Sequence, residues 1–241
     1  MTSDEYNAIG LFNMFPSIDL HNAKYTPVTG TFMTETGDYR FLEGKLVNGE
    51  LTLSCFDGSH AFLFKAKYNT TNDTLKGVFY SGNHFSEPWI AWRNKSAKLR
   101  NPDSLTTLNP GYESLAFSFP SLKNETINFP SERFKGKVTI VEIMGSWCPN
   151  CMDETVFLQS INEKYKNKGL EIVALCYERT SDFNKSVQSV TKMKESLGAT
   201  YEFLIAGTSN KQKAAETLPM LSSIYSFPTT VFIDKKGKVR K

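Results

Sequence analysis

Gly145-Ser146-Trp147-Cys148-Pro149-Asn150-Cys151 follows directly on the apolar run Val138-Thr139-Ile140-Val141-Glu142-Ile143-Met144. The run reads as a buried β-strand, and apolar residues at helical spacing follow from Pro149 onward (Phe157, Leu158, Ile161 and Tyr165). A strand that turns into a helix at a C-x-x-C pair puts Cys148 at a helix N-terminus. There the unpaired N–H groups and the helix dipole favour a thiolate. Two sulfurs one turn apart can then cycle between dithiol and disulfide. Pro149 suits the first helical position, where its missing N–H costs nothing.

Position divides the roles. Cys148, at the exposed start of the helix, is the expected attacking thiolate. Cys151, one turn in, is the expected resolving thiol. Trp147 is expected at the rim of the site. Glu142 lies inside the apolar strand, six residues before Cys148. A buried carboxyl there has a raised pKa and can exchange protons with Cys151. Glu154 stands three residues past Cys151, where it either tunes the thiol or favours the helix N-terminus.

The bland readings of the pair are weaker. Half a zinc site needs two more ligands. The three histidines, His21, His60 and His84, all precede residue 101, so no metal is expected at the pair. A loop this short is also a poor structural staple. Cys55 and Cys176 sit among apolar residues and read as small buried hydrophobes, although the sequence also allows a crosslink between them.

Outward from this centre the chain changes period. Residues 26–93 carry short alternating strands with turn residues between them, including Asn48-Gly49, a type I′ hairpin signal. This predicts an antiparallel β-rich sandwich or barrel over residues 1–100. Residues 101–114, with Asn101-Pro102 and Asn109-Pro110-Gly111, read as a linker. From 115 to 241 strands alternate with helices, including helices over 183–197 and 212–221, which predicts an α/β sheet with crossover connections. Phe227-Pro228 precedes the last strand pattern, Thr229-Thr230-Val231-Phe232-Ile233. Pro228 is either a trans proline leading a strand or a cis-proline whose preceding carbonyl faces Cys148 and pairs with an extended substrate backbone.

The 241 residues carry a net charge of +3. Residues 1–100 balance acid against base, so the excess lies in 101–241, mostly in the tail from Lys235 to Lys241. That is too little to argue for nucleic acid. No apolar run approaches the roughly 18 residues of a membrane span. The start, Met1-Thr2-Ser3-Asp4-Glu5-Tyr6, is polar and carries no lysine or arginine, so it does not read as a signal peptide.

These residues resemble the thioredoxin superfamily, in its TlpA/ResA-like branch, which shades into AhpC/TSA sequences. The resemblance rests on Phe134-Lys135-Gly136-Lys137-Val138, the stretch from Gly145 to Glu154, the stretch from Leu175 to Arg179, and the stretch from Phe227 to Asp234. It implies a thioredoxin-like fold, a central mixed sheet flanked by helices, over 115–241. It also implies that Pro228 is the family's cis-proline and that Glu142 is its buried acid. The β-rich half, through 36–44 and 54–62, resembles the N-terminal domain of envelope-associated Bacteroidetes homologues.

The expectation is a thiol-disulfide oxidoreductase of the bacterial periplasm or cell envelope. It would need no cofactor beyond the Cys148–Cys151 disulfide. Its partners would be protein disulfides and an upstream thiol reductant, with membrane contact only through an anchor removed from this chain. The family's final strand and helix are missing after Lys241, so cropping at both ends is expected. Two alternatives stay open. One is a peroxiredoxin-like thiol peroxidase, although P-x-x-x-T/S-x-x-C is absent before Cys148. The other is an envelope binding protein acting through its β half, with His60, Trp89 and Trp92 as contacts.

Overall fold

The computed structural model describes residues 8–15, 18–20 and 23–241. His21 and the polar start at Met1–Tyr6 lie outside the described residues. The chain divides into two compact units, residues 1–100 and 101–241.

The first unit holds β1 (Ile9–Met14), β2 (Ile18–Leu20), β3 (Ala23–Thr34), β4 (Gly37–Asp38), β5 (Leu42–Val47), β6 (Glu50–Phe56), β7 (Ala61–Asn69), β8 (Thr74–Ser81) and β9 (Phe85–Trp92). All pair antiparallel in one sheet of order β1-β3-β5-β6-β7-β8-β9, with β2 and β4 alongside β3. Asn48 and Gly49 both have positive φ, at 50° and 79°, as a type I′ turn demands. Alternation sends Val28, Leu42, Leu51, Leu53, Phe64 and Phe79 to one buried face.

That face is strongly curved. Strands β3 and β9 are five spacings apart, about 24 Å on a flat sheet. Yet the rings of Phe32 on β3 and Trp89 on β9 lie 5.5 Å apart. The sheet therefore curls over its own aromatic core in barrel-like fashion, rather than as two stacked sheets. Gly44 and Gly77 sit on the concave face where no side chain fits. A Cβ at Gly77 would lie 1.8 Å from the Lys65 carbonyl oxygen, and one at Gly44 equally close to that of Thr52.

The second unit begins with the hairpin β10 (Phe117–Pro120) and β11 (Thr126–Phe129). There follow β12 (Val138–Met144), α1 (Pro149–Tyr165), β13 (Leu170–Glu178), α2 (Phe183–Ser196), β14 (Glu202–Thr208), α3 (Lys211–Glu216) and β15 (Thr229–Ile233). The main sheet has the order β14-β13-β12-β15. β12 pairs parallel with β13, and β13 parallel with β14, through crossovers that contain α1 and α2. β15 runs antiparallel to β12. This is the mixed α/β sheet that the thioredoxin-like resemblance implied. β12 and β13 are buried almost throughout, as strands covered on both faces must be.

Three details differ from the sequence expectation. First, α3 stops at Glu216 instead of running to Leu221. Pro219 lacks an N–H and disfavours helical φ/ψ at Leu218. Second, residues 101–114, read as a linker, fall within the second unit and bond to its later residues. The Thr107 N–H donates to Ser222 Oγ at 3.0 Å, the Asn109 N–H donates to the Met220 carbonyl at 2.7 Å, and Leu108 bridges Leu221. Third, α1 buries Cys151, Thr155, Leu158, Gln159 and Asn162, and leaves Phe157 62% exposed. Apolar spacing misplaces this face because half of it is polar and bonded. The Gln159 side-chain oxygen accepts the Thr200 N–H at 2.9 Å, and Asn162 Nδ2 donates to Thr200 Oγ1 at 3.0 Å.

Candidate active site

β12 delivers the chain to Gly145, where any side chain would collide. A Cβ would lie 2.3 Å from Trp147 Nε1 and 2.9 Å from the Tyr177 carbonyl oxygen. The next residue is clamped twice. The Ser146 N–H donates to Glu178 Oε1 at 2.8 Å, and its hydroxyl donates to Oε2 at 2.7 Å. Trp147 Nε1 donates to the Tyr177 carbonyl at 2.9 Å. Its ring meets Phe227 edge-on at 5.7 Å and carries the Arg179 guanidinium at 4.9 Å. Trp147 is thus pinned at the rim from three sides.

Cys148 is the N-cap of α1, in an extended conformation, and Pro149 is the first helical residue. Cys148 Sγ accepts the Cys151 N–H at 3.3 Å. The sulfur thereby replaces a backbone partner for one of the helix's orphan donors, an arrangement that supports negative charge on it. The same sulfur donates to the Phe227 carbonyl at 3.5 Å. The Phe227–Pro228 bond is cis, the sharper of the two sequence readings. A second cis bond, Phe129–Pro130, lies in the same unit, after β11.

Cys148 is more enclosed than expected, at 6% exposure, with its sulfur against the Phe227 carbonyl. Cys151 is fully buried. Burial, followed by its contact with Cys148, pushes the Cys151 thiol well above its ordinary range. Cys176 is buried as well, with Sγ against Met144 Sδ at 3.5 Å. Cys55 donates to the Tyr39 carbonyl at 3.1 Å and is only partly buried. All four cysteines are thiols in the structure.

Two carboxyls stand behind the pair. Glu142 is fully buried on β12, and burial raises it to about 8, with the Glu154 charge adding to the rise. Tyr201 Oη donates to its Oε2 at 2.8 Å and Thr155 Oγ1 to its Oε1 at 3.1 Å, both opposing the rise. Glu154, on α1, is raised in the same direction by its own burial and held by the Thr230 hydroxyl. Thr230 is the residue paired with Glu142 across β12 and β15. The structure therefore gathers Glu142, Trp147, Cys148, Pro149, Cys151, Glu154, Phe227 and Pro228 at one end of the sheet.

Sequence reasoning passed over Thr155, Glu178, Tyr201 and Thr230. Thr155 had a signal, since it stands four residues after Cys151 on the same helix face. Glu178 and Thr230 fall inside stretches that carry the family resemblance, but their partners come from other elements, and local spacing carries no trace of Tyr201. Among the described residues, no group of three or more His, Cys, Asp or Glu is placed to hold a metal ion. No helix among them is long and apolar enough to cross a membrane.

The chain is 30% identical over 129 residues to the thiol-disulfide oxidoreductase ResA of Bacillus thuringiensis subsp. konkukian, covering 54% of this chain and 66% of that protein. It is 28% identical over 108 residues to ResA of Geobacillus kaustophilus, covering 45% and 55%. The chain thus spans less than two thirds of the length of these relatives. Among solved structures it is similar to the thioredoxin domain of a thiol-disulfide oxidoreductase from Bacteroides vulgatus, with 21% identity, coverage of 55% and 86%, and a TM-score of 0.43. It is also similar to a thiol-disulfide oxidoreductase from Bacteroides fragilis, with 19% identity, coverage of 54% and 88%, and a TM-score of 0.44. The Redoxin family model matches residues 110–241, more than half the chain. The chain therefore belongs to the Redoxin family.

Proposed function

We propose that this protein is a thiol-disulfide oxidoreductase that reduces protein disulfides through Cys148 and Cys151. One observation carries the reading: Cys148 Sγ caps α1, accepts the Cys151 N–H and lies 3.5 Å from the Phe227 carbonyl. The Cys148 thiolate attacks a substrate disulfide, forming a mixed disulfide and releasing one substrate thiol. The Phe227 carbonyl, ahead of Pro228, accepts an N–H from the extended substrate backbone beside that sulfur. Cys151 gives its proton to Glu142 and attacks Cys148 Sγ. The Cys148–Cys151 bond forms as the bond to substrate breaks, and the electron pair leaves on the second substrate sulfur. A thiol reductant then restores the dithiol. No cofactor enters this cycle.

A cell-envelope or periplasmic location follows the resemblance to envelope homologues. With Cys151→Ser, Cys148 is expected to accumulate a mixed disulfide with a disulfide-bonded protein, released by added dithiol and seen by mass spectrometry. Accumulation on Cys151 in Cys148→Ser, with none on Cys148, would reverse the assigned roles.

A further inference from the structure

Glu142 is buried without a cation. Among the described residues its hydrogen-bond partners are two hydroxyls, one for each carboxyl oxygen. The geometry that brings Tyr201 there is specific. Glu142 pairs with Ala174 on β13, and Ala174 with Phe203 on β14. Tyr201 directly precedes β14, two residues before Phe203. The two rings stack at 4.8 Å, 18° from parallel. Ala174, itself fully buried, stands between Glu142 and Phe203 in that row.

We propose that Tyr201 is a positioning residue of the thiol exchange, fixing the Glu142 carboxyl, with Thr155, where it takes the proton of Cys151. This rests on the resolving role given to Cys151 above. The carboxyl has no counter-ion, so neutral donors alone hold its charged form in a buried place, and each one matters. Burial and the neighbouring Glu142 both push the Tyr201 phenol above its ordinary range, so it remains a donor throughout the working pH range. The other titratable groups facing Glu142 are Cys148, Cys151 and Glu154 from α1 and Cys176 from β13. β15 contributes Thr230 opposite Glu142, which does not titrate.

The step balances on the residues named. The Cys151 proton passes to Glu142, and the Cys151 sulfur attacks Cys148 Sγ. The departing thiol takes the electron pair, and Glu142 returns the proton to solvent. Without the phenol hydroxyl, burial acts on Glu142 with less opposition, and its charged form is reached only at higher pH.

Stopped-flow reaction of the full chain, carrying Cys55→Ser in the reference and in every variant to remove the other accessible thiol, with the disulfide of nitrothiobenzoate separates the two sulfurs. Attack by Cys148 releases the first yellow thiol, and attack by Cys151 releases the second. Tyr201→Phe keeps the ring on Phe203 and removes only the hydroxyl. Its first phase is expected to match the reference chain. Its second phase is expected to be about tenfold slower at pH 7, with the rise in rate displaced by about one pH unit upward. Thr155→Val should move the same limb the same way and tests the claim independently of the fold of the first variant. Second-phase pH profiles unchanged in both variants would overturn the inference. Release of a single thiol by the reference chain would instead contradict the two-cysteine exchange itself.

Discussion

Glu142 shows most sharply what burial does to a single residue. It sits at zero exposure in a strand of Val, Ile and Met, and its ordinary value of 4.5 rises to about 8. The sign for stability follows. Below pH 4.5 the carboxyl is protonated both folded and unfolded and contributes no pH dependence. Between 4.5 and 8 the unfolded chain has released the proton and the folded chain keeps it. Stability is therefore lost as pH rises through that window, by a few kcal/mol in all. In Glu142→Gln that dependence disappears. Urea unfolding at pH 5 and pH 8 should show a smaller drop in the variant than in the unmodified chain. Parallel drops would mean that Glu142 is ionised in the fold. The residue was legible in the sequence as an acid inside an apolar run, but its hydroxyl partners were not. Thr155 is thirteen residues away along the chain, and Tyr201 fifty-nine.

Elements divide by how far their signals reach. β12 and β13 stand where their apolar runs put them, because a strand buried on both faces needs little else to mark it, and the edge strand β15 also stands where its run puts it. α1 begins at Pro149 as its cap residues require. Its inward face was misread, because Thr155, Gln159 and Asn162 are buried by virtue of bonds to other elements. In the β-rich unit, alternation and Asn48-Gly49 mark the strands, but the curl belongs to glycines whose meaning appears only across strands. Gly77 pairs with Ala66 on one side and Trp89 on the other. An added methyl meets the Lys65 carbonyl at 1.8 Å and Ala66 at 2.7 Å, so the backbone must move. Gly77→Ala should lower the stability of this unit by about 2 kcal/mol. The measurement is urea unfolding followed through Trp89 and Trp92 in a Trp147→Phe background. A change under about 0.5 kcal/mol would mean that the sheet is slack there.

At the scale of the molecule the chain has two cores. One joins Val28, Phe32, Leu53, Phe64 and Phe79 of the first unit, and the other runs from Leu115 to Ile233 in the second. The proposed chemistry lies wholly within the second, on residues that β12, α1, β13, β14 and β15 bring together. Membership of the Redoxin family covers this part of the chain. The C-x-x-C pair was legible because a strand, a proline and a helix start meet in seven residues. The environment of the pair was not, because it is assembled across a sheet. Redox titration of the Cys148–Cys151 pair in a thiol–disulfide buffer tests the central claim most directly. The proposal predicts a single two-electron transition at a reducing potential, nearer thioredoxin's roughly −270 mV than DsbA's roughly −120 mV. A value near the oxidising end would contradict the assignment as a reductant, and absence of any Cys148–Cys151 disulfide would contradict the exchange mechanism altogether.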